Sequence, residues 1–260
     1  MIKFKIVPSF AFFVGIALLF ALTANAAKAQ HWYCVREKDN KQPRCDSDME
    51  YIEDYGGYYI DHTHGDDCEE KVVYLTFDAG YENGNVEKIL DAMKAEDVKG
   101  TFFVLGNLID KNGELIKRMV EEGHTVANHT YSHKNMTKSG SYEEFAEELK
   151  KLDDAYEALI GEKMAKYYRP PEGTFDETTM NYANKAGYKT IFWSFAYADW
   201  DNDKQMDPER AKEKILSNIH NGAVILLHPT SATNAAIMGD VIKELKALGY
   251  RFGSMDELTA

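Results

Sequence analysis

The chain has 260 residues, 44% of them hydrophobic and 28% charged, which suffices for one core of ordinary size or one domain with an appendage. Its formal net charge of −13 argues against nucleic acid as a partner, because phosphate binding needs a basic face. An anionic membrane surface is disfavoured for the same reason.

At the start, Lys3 and Lys5 are followed by an apolar stretch from Ile6 to Leu22 that is broken only by Pro8, Ser9 and Gly15. Next comes Thr23-Ala24-Asn25-Ala26-Ala27-Lys28-Ala29, full of small residues. This layout predicts a secretory signal peptide over residues 1–26, with cleavage after Ala26 or Ala29. The rival is an uncleaved anchor, the one membrane attachment expected. Two A-x-A patterns favour cleavage, and the cleavage point has no cysteine to carry a lipid. Losing two lysines takes the charge from −13 to −15. The product is expected to be secreted or associated with the cell wall.

Residues 27–70 are polar, rich in Tyr, Asp and Glu, and contain Gly56-Gly57 and Gly65. They are expected to form an irregular N-terminal extension packed on the main domain, with His62 and His64 solvated. Cys34, Cys45 and Cys68 all fall here. In an exported protein two of them are expected to form a disulfide, and sequence does not say which two. Their spacing fits no standard zinc module.

From residue 71 to 260 short apolar runs alternate with stretches of helical period. Strands are expected at 72–77, 101–105, 124–128, 166–169, 189–194, 223–228 and 250–253. Helices are expected at 84–96, 110–122, 141–160, 176–186, 208–220 and 234–248. Phe145, Leu149, Leu152, Tyr156 and Leu159 recur at spacings of three and four, which gives one apolar face. Asp176 is placed as an N-cap. Gly123, Gly187 and Gly249 each stop a helix ahead of a strand.

Repeated alternation of this kind predicts an α/β fold of parallel strands with helices outside. An open doubly wound sheet often carries a glycine-rich phosphate loop after its first strand, but here that turn is the acidic Asp78-Ala79-Gly80-Tyr81-Glu82-Asn83-Gly84. A (β/α) barrel gathers the C-terminal ends of its strands at one mouth. The polar residues of interest fall at those ends, which favours the barrel.

Asp78 closes the run Val72-Val73-Tyr74-Leu75-Thr76-Phe77, where a carboxylate is costly without a partner. His129 and His133, four apart, are expected on one face of a helical turn, where they could grip one cation. Arg169 precedes Pro170-Pro171 on stiff backbone, and its fork could keep a carboxylate ionised. Asp199-Trp200 follows an aromatic run, and an aromatic beyond a strand suits the apolar face of a sugar ring. His228 ends Val224-Ile225-Leu226-Leu227, where Asp199 could raise its pKa and fit it as a general acid. Together these parts outline metal-assisted hydrolysis of an amide or ester: the cation polarises the carbonyl and holds a water, Asp78 takes the proton, and His228 protonates the leaving nitrogen. No Gly-x-Ser-x-Gly elbow points to a serine nucleophile.

Five ordered segments, Thr76-Phe77-Asp78-x-Gly80, His129-x-x-x-His133, Arg169-Pro170-Pro171-x-Gly173, Asp199-Trp200 and Leu227-His228, resemble the motifs of the polysaccharide deacetylases, the NodB-homology domain of carbohydrate esterase family 4. The resemblance covers about residues 71–258 and implies a distorted (β/α) barrel that deacetylates glycans. It implies Asp78 as base, Arg169 positioning it, His129 and His133 as ligands of a divalent metal, and Asp199 tuning the acid His228. The metal would be zinc first, with manganese, magnesium or cobalt as alternatives. Trp200 and Leu227 would shape the acetyl pocket.

One departure stands out. The common motif has a second aspartate as third metal ligand, and here that place is Ala79. Weaker or different metal binding is expected. With the turn holding Tyr81 and Asn83, taken as substrate-binding, and with Trp193-Ser194, the departure resembles the subgroup that deacetylates N-acetylmuramic acid in peptidoglycan. That subgroup leads to the muramic δ-lactam of spore cortex. The partner would be a peptidoglycan strand, with no stable protein partner implied. Other readings are a deacetylase of chitin oligomers, N-acetylglucosamine glycan or acetyl-xylan, and a non-catalytic glycan-binding module.

Overall fold

A computed structural model describes residues 28–260, and the expected signal segment lies outside the described residues. The extension contributes β1 (Gln30–His31), β2 (Cys34–Val35), β3 (Arg44–Cys45), a 3-10 helix (Ser47–Tyr55) and β4 (Gly57–Tyr58). The main domain follows as β5 (Lys71–Ala79), α1 (Val86–Ala95), β6 (Thr101–Val104), α2 (Gly106–Lys111), α3 (Gly113–Glu121), β7 (Thr125–Asn128) and α4 (Tyr142–Ile160). It continues through β8 (Tyr167–Tyr168), β9 (Thr174–Phe175), α5 (Glu177–Lys185), β10 (Lys189–Ile191) and α6 (Pro208–Leu216). Last come β11 (Ala223–Leu227), α7 (Ala232–Ala247), β12 (Tyr250–Phe252) and α8 (Met255–Leu258).

Eight strands form one sheet in the order β11-β5-β6-β7-β8-β10-β4, with β12 also beside β5. Every strand pair in it is parallel. The sheet curls until its two ends meet: Ile60 bridges Ala223 and Phe195 bridges Ile225. The barrel is therefore closed by single bridges rather than by a full ladder, which is the distortion expected of it.

Alternation along β5 sorts its side chains. Val72 and Tyr74 join an inner cluster with Phe103, Ala127, Tyr167, Ile191 and Val224, plugged by Met255 and Leu258 of α8. Val73, Leu75, Phe77 and Ala79 join an outer cluster with Ile89, Leu90 and Met93 of α1 and Met238 and Val241 of α7. Period two thus sets Asp78 on the inner face and Ala79 on the outer one.

The helices follow the sequence reading at most ends. Ser141 caps α4, Asp176 caps α5 in a reciprocal box with Thr179, and Gly123, Gly187 and Gly249 take φ of 82°, 83° and 88° after α3, α5 and α7. Four expectations are corrected. The helix expected at 110–122 is two helices, because Asn112 (φ −132°, ψ 42°) leaves helical geometry between them. The strand expected at 189–194 ends at Ile191, after which Ser194 and Phe195 pair with β11 through Val224 O. The extension is more ordered than expected, and its β4 is a strand of the barrel beside β10. The three cysteines are free thiols in this structure. His62 is solvated and pairs with Glu53, whereas His64 is largely covered and its Nδ1 sits 2.6 Å from Asp61. No described helix is long and apolar enough to cross a membrane.

Candidate active site

Arg169 follows β8 and is completely buried, an uncommon place for a guanidinium. The structure satisfies it on every side. Nε donates to Ile191 O at 3.0 Å, Nη2 to Phe192 O at 3.2 Å, and Nη1 to Asp78 Oδ1 at 2.8 Å. Its flat face lies 4.1 Å from the Phe103 ring centre. Those two carbonyls lie where β10 ends, at Ile191 and the residue after it.

Burial alone pushes the Asp78 carboxyl up. The charge of Arg169, helped by His129 and His228, outweighs this and holds it below the ordinary carboxylate value. Asp78 is therefore an anion at neutral pH, with one oxygen fixed by Arg169 and Oδ2 left for other work.

His129 directly follows β7. Its Nδ1 lies 2.8 Å from Arg169 O, and a carbonyl only accepts, so Nδ1 carries the proton. Burial lowers the imidazole pKa to about 4, so the ring is neutral and Nε2 presents a lone pair. That lone pair faces Asp78 Oδ2 at 3.5 Å. The His133 ring lies 5.1 Å from the His129 ring, centre to centre. The two histidines are brought together, but the expected helical turn is corrected. Residues 129–133 form a loop, with Thr130 at φ 73° and His133 at φ 57°.

Side chains that sequence reasoning missed hold that loop. Asn128 Oδ1 accepts from Thr130 N at 2.8 Å, while its amide donates to Leu149 O and Asp153. Glu148 of α4 accepts from Ser132 N at 2.6 Å and from Ser132 Oγ at 2.5 Å. A signal for Glu148 existed: it sits beside Leu149 on the apolar face of α4, where a carboxylate needs a partner.

His228 directly follows β11. Asp199 accepts from its backbone N at 2.8 Å through Oδ2 and from its Nδ1 at 2.7 Å through Oδ1. Burial pulls the imidazole pKa down, and the Asp199 hydrogen bond and charge more than offset this, leaving it raised. Nε2 is left free. Asn234 was also missed; it donates from Nδ2 to Asp199 Oδ2 at 2.6 Å and to His228 O at 3.1 Å, while Tyr197 OH donates to Asn234 Oδ1.

Around these pairs, Trp200 is 60% exposed and its ring is 6.2 Å from that of His228. Tyr81 is also exposed, and its hydroxyl accepts from Asn202 Nδ2 at 2.5 Å. Asn83 spends its amide on Thr230 O at 2.9 Å, which ties the turn after β5 to the loop after β11. Leu227 is fully buried in the outer cluster and has no surface open to solvent.

A metal can be tested against these donors. A neutral imidazole lone pair facing a carboxylate oxygen at 3.5 Å, with no proton between them, is an arrangement that a cation would relieve, and the orienting bond at Nδ1 is typical of a ligating histidine. His129 and His133 therefore fit as two ligands. Among the described residues no group of three or more His, Cys, Asp or Glu could hold an ion.

A carboxylate held ionised beside a protonatable imidazole, at the mouth of one barrel, suits a hydrolase that takes a proton from water and returns one to a leaving group. A scan against protein-family models matches residues 65–191 to polysaccharide deacetylase. Peptidoglycan-N-acetylmuramic acid deacetylase PdaA of Bacillus subtilis is 36% identical over 245 residues, covering 91% of this chain and 91% of that protein. The solved structure of Bacillus subtilis PdaA, a family 4 carbohydrate esterase, superposes with a TM-score of 0.83 over 89% of this chain and 97% of that one. A family 4 carbohydrate esterase from Bacillus anthracis gives 0.72 at 34% identity, over 89% and 96%. The chain belongs to the polysaccharide deacetylase family. Deacetylases of this family are metal-dependent as a class.

Proposed function

We propose that this enzyme removes the N-acetyl group from N-acetylmuramic acid in peptidoglycan, on the way to muramic δ-lactam. The reading rests on one observation above others: Asp78, held by Arg169, and His228, held by Asp199, stand at the ends of the adjacent parallel strands β5 and β11. The likeness to PdaA over nine-tenths of both chains supports the muramic substrate. It also supports action in the cell wall after export.

In this reading Asp78 Oδ2 takes a proton from the attacking water, and Arg169 keeps the carboxylate anionic and aimed. His228, charged and oriented by Asp199, gives its Nε2 proton to the leaving amine. A divalent metal on His129 and His133, zinc in our reading, would supply Lewis acidity for the acetyl carbonyl and its water. Trp200 and Tyr81 offer apolar faces to sugar rings. A pure binding module would leave both charged pairs without a purpose.

The test is acetate release from peptidoglycan stripped of peptide stems, with zinc, manganese or magnesium added. We expect release, and a loss of about 10²–10⁴-fold in Asp78→Asn, the range for a positioned base. Chitin oligomers and acetyl-xylan run in parallel decide the substrate. No release under any metal would overturn the enzymatic reading, and preference for chitin the muramic one.

A further inference from the structure

Cys34 and Cys45 stand directly opposite each other in the antiparallel β2–β3 ladder, with Val35 opposite Arg44. Val35 and Arg44 are exposed, while both cysteines are half-buried and pack on one cluster with Trp32, Met49, Ile52 and Tyr59. Alternation therefore aims the two thiols to the same side. The backbone N–H of Cys45 donates to Tyr59 OH at 3.1 Å, not to the Cys34 carbonyl. This marks a non-hydrogen-bonded pair, whose Cα atoms in such ladders lie about 4.5 Å apart. A disulfide accepts Cα separations of roughly 4.4–6.8 Å. Cys68 belongs to another turn, where its carbonyl accepts from Asn221.

We propose that Cys34 and Cys45 are a disulfide-forming pair and that Cys68 stays reduced. The co-reactant is an external disulfide, either a small-molecule disulfide or that of a thiol oxidase. One cysteine thiolate attacks it, forming a mixed disulfide and releasing one thiol. The second cysteine then displaces the other, so two electrons and two protons pass to the external disulfide. Burial pushes the thiols up to about 11 for Cys34 and about 12 for Cys45, so exchange favours the folding chain, before Trp32 and Tyr59 cover the pair. The bond forgoes only the weak S–H contact of Cys34 with Ser194 O at 3.3 Å.

The bond would brace the active site from behind. Trp32, two residues before Cys34, stacks on Phe192 at 4.5 Å and donates to Trp193 O at 2.8 Å. Phe192 O is one of the two carbonyls that hold Arg169. This inference stands apart from the proposed substrate and is tested without it.

The full chain is refolded from denaturant and reductant in a reduced and oxidised glutathione couple, then alkylated and digested. One alkylated thiol per chain, at Cys68, and a linked peptide joining Cys34 to Cys45 are expected, and Cys68→Ser should form the same link. The oxidised protein should melt above the reduced one. Three alkylated thiols, or a link that includes Cys68, would overturn the proposal.

Discussion

Arg169 Nη1 donates to Asp78 Oδ1 at 2.8 Å, joining side chains 91 positions apart within the barrel. Each is buried, so each depends on the other. Replacing Arg169 by Met should cost about 3–5 kcal/mol, as for other broken buried pairs, measured by denaturant unfolding. Asp78 is held below its unfolded value, so its contribution is present above about pH 3.9 and is lost as pH falls through the folded pKa. Without Arg169 that pKa rises, and the acid limb of the rate profile should move to higher pH. An unmoved limb would deny Arg169 its role as positioner of the base.

The His228 pair has the opposite sign. Its folded pKa is raised, so the stabilisation is fully present below about pH 6.5 and disappears as pH rises through the folded pKa. As general acid it must be protonated, so activity should fall on that same side. In Asp199→Asn the basic limb should shift to lower pH with a reduced kcat. A pH–rate profile identical to wild type would contradict the assignment.

Asn234 carries Asp199 and Tyr197 at once. Asn234→Leu leaves a buried carboxylate oxygen and a buried hydroxyl short of partners, a loss of about 1–3 kcal/mol for each. We expect kcat per folded molecule to drop about tenfold with KM little changed, because the acid loses its orientation rather than the glycan its contacts. Tyr197→Phe should show a smaller version of the same effect. Unchanged kcat in folded Asn234→Leu would make the residue structural only.

Glu148 fixes the loop between His129 and His133 through Ser132. Glu148→Ala should weaken zinc binding by about 10–100-fold, as orienting groups beside metal ligands do, read by competition with a chromogenic chelator. Glu148→Gln, which still accepts one bond, should fall between. Chelation should abolish acetate release, and added zinc should restore it.

Much of this was legible because each important residue ends an apolar run. Asp78, Arg169 and His228 announce themselves as polar groups where β5, β8 and β11 emerge. The break at Asn112-Gly113 was also readable, since that dipeptide is a strong turn signal that the surrounding helical period obscured. The HxxxH loop was not readable: spacing four suits a helix, and threonine at positive φ is held there by Asn128 and by the bond its hydroxyl accepts from His133 N. Asn234 lies on a helix after a serine cap, and nothing local marks it as a partner of Asp199. Such contacts are made across the fold, so a linear pattern does not encode them.

Strand β4 belongs to the barrel though it comes before the region the motifs delimit. A chain beginning at Lys71 would keep every candidate catalytic residue and still expose the edge of β10, the strand whose terminal carbonyl at Ile191 secures Arg169. It would also lose Ile60, one of the two bridges that join the ends of the sheet. A fragment that keeps the barrel's edge covered must therefore include β4 and Ile60, and shortened variants from Lys71 should aggregate through that open edge.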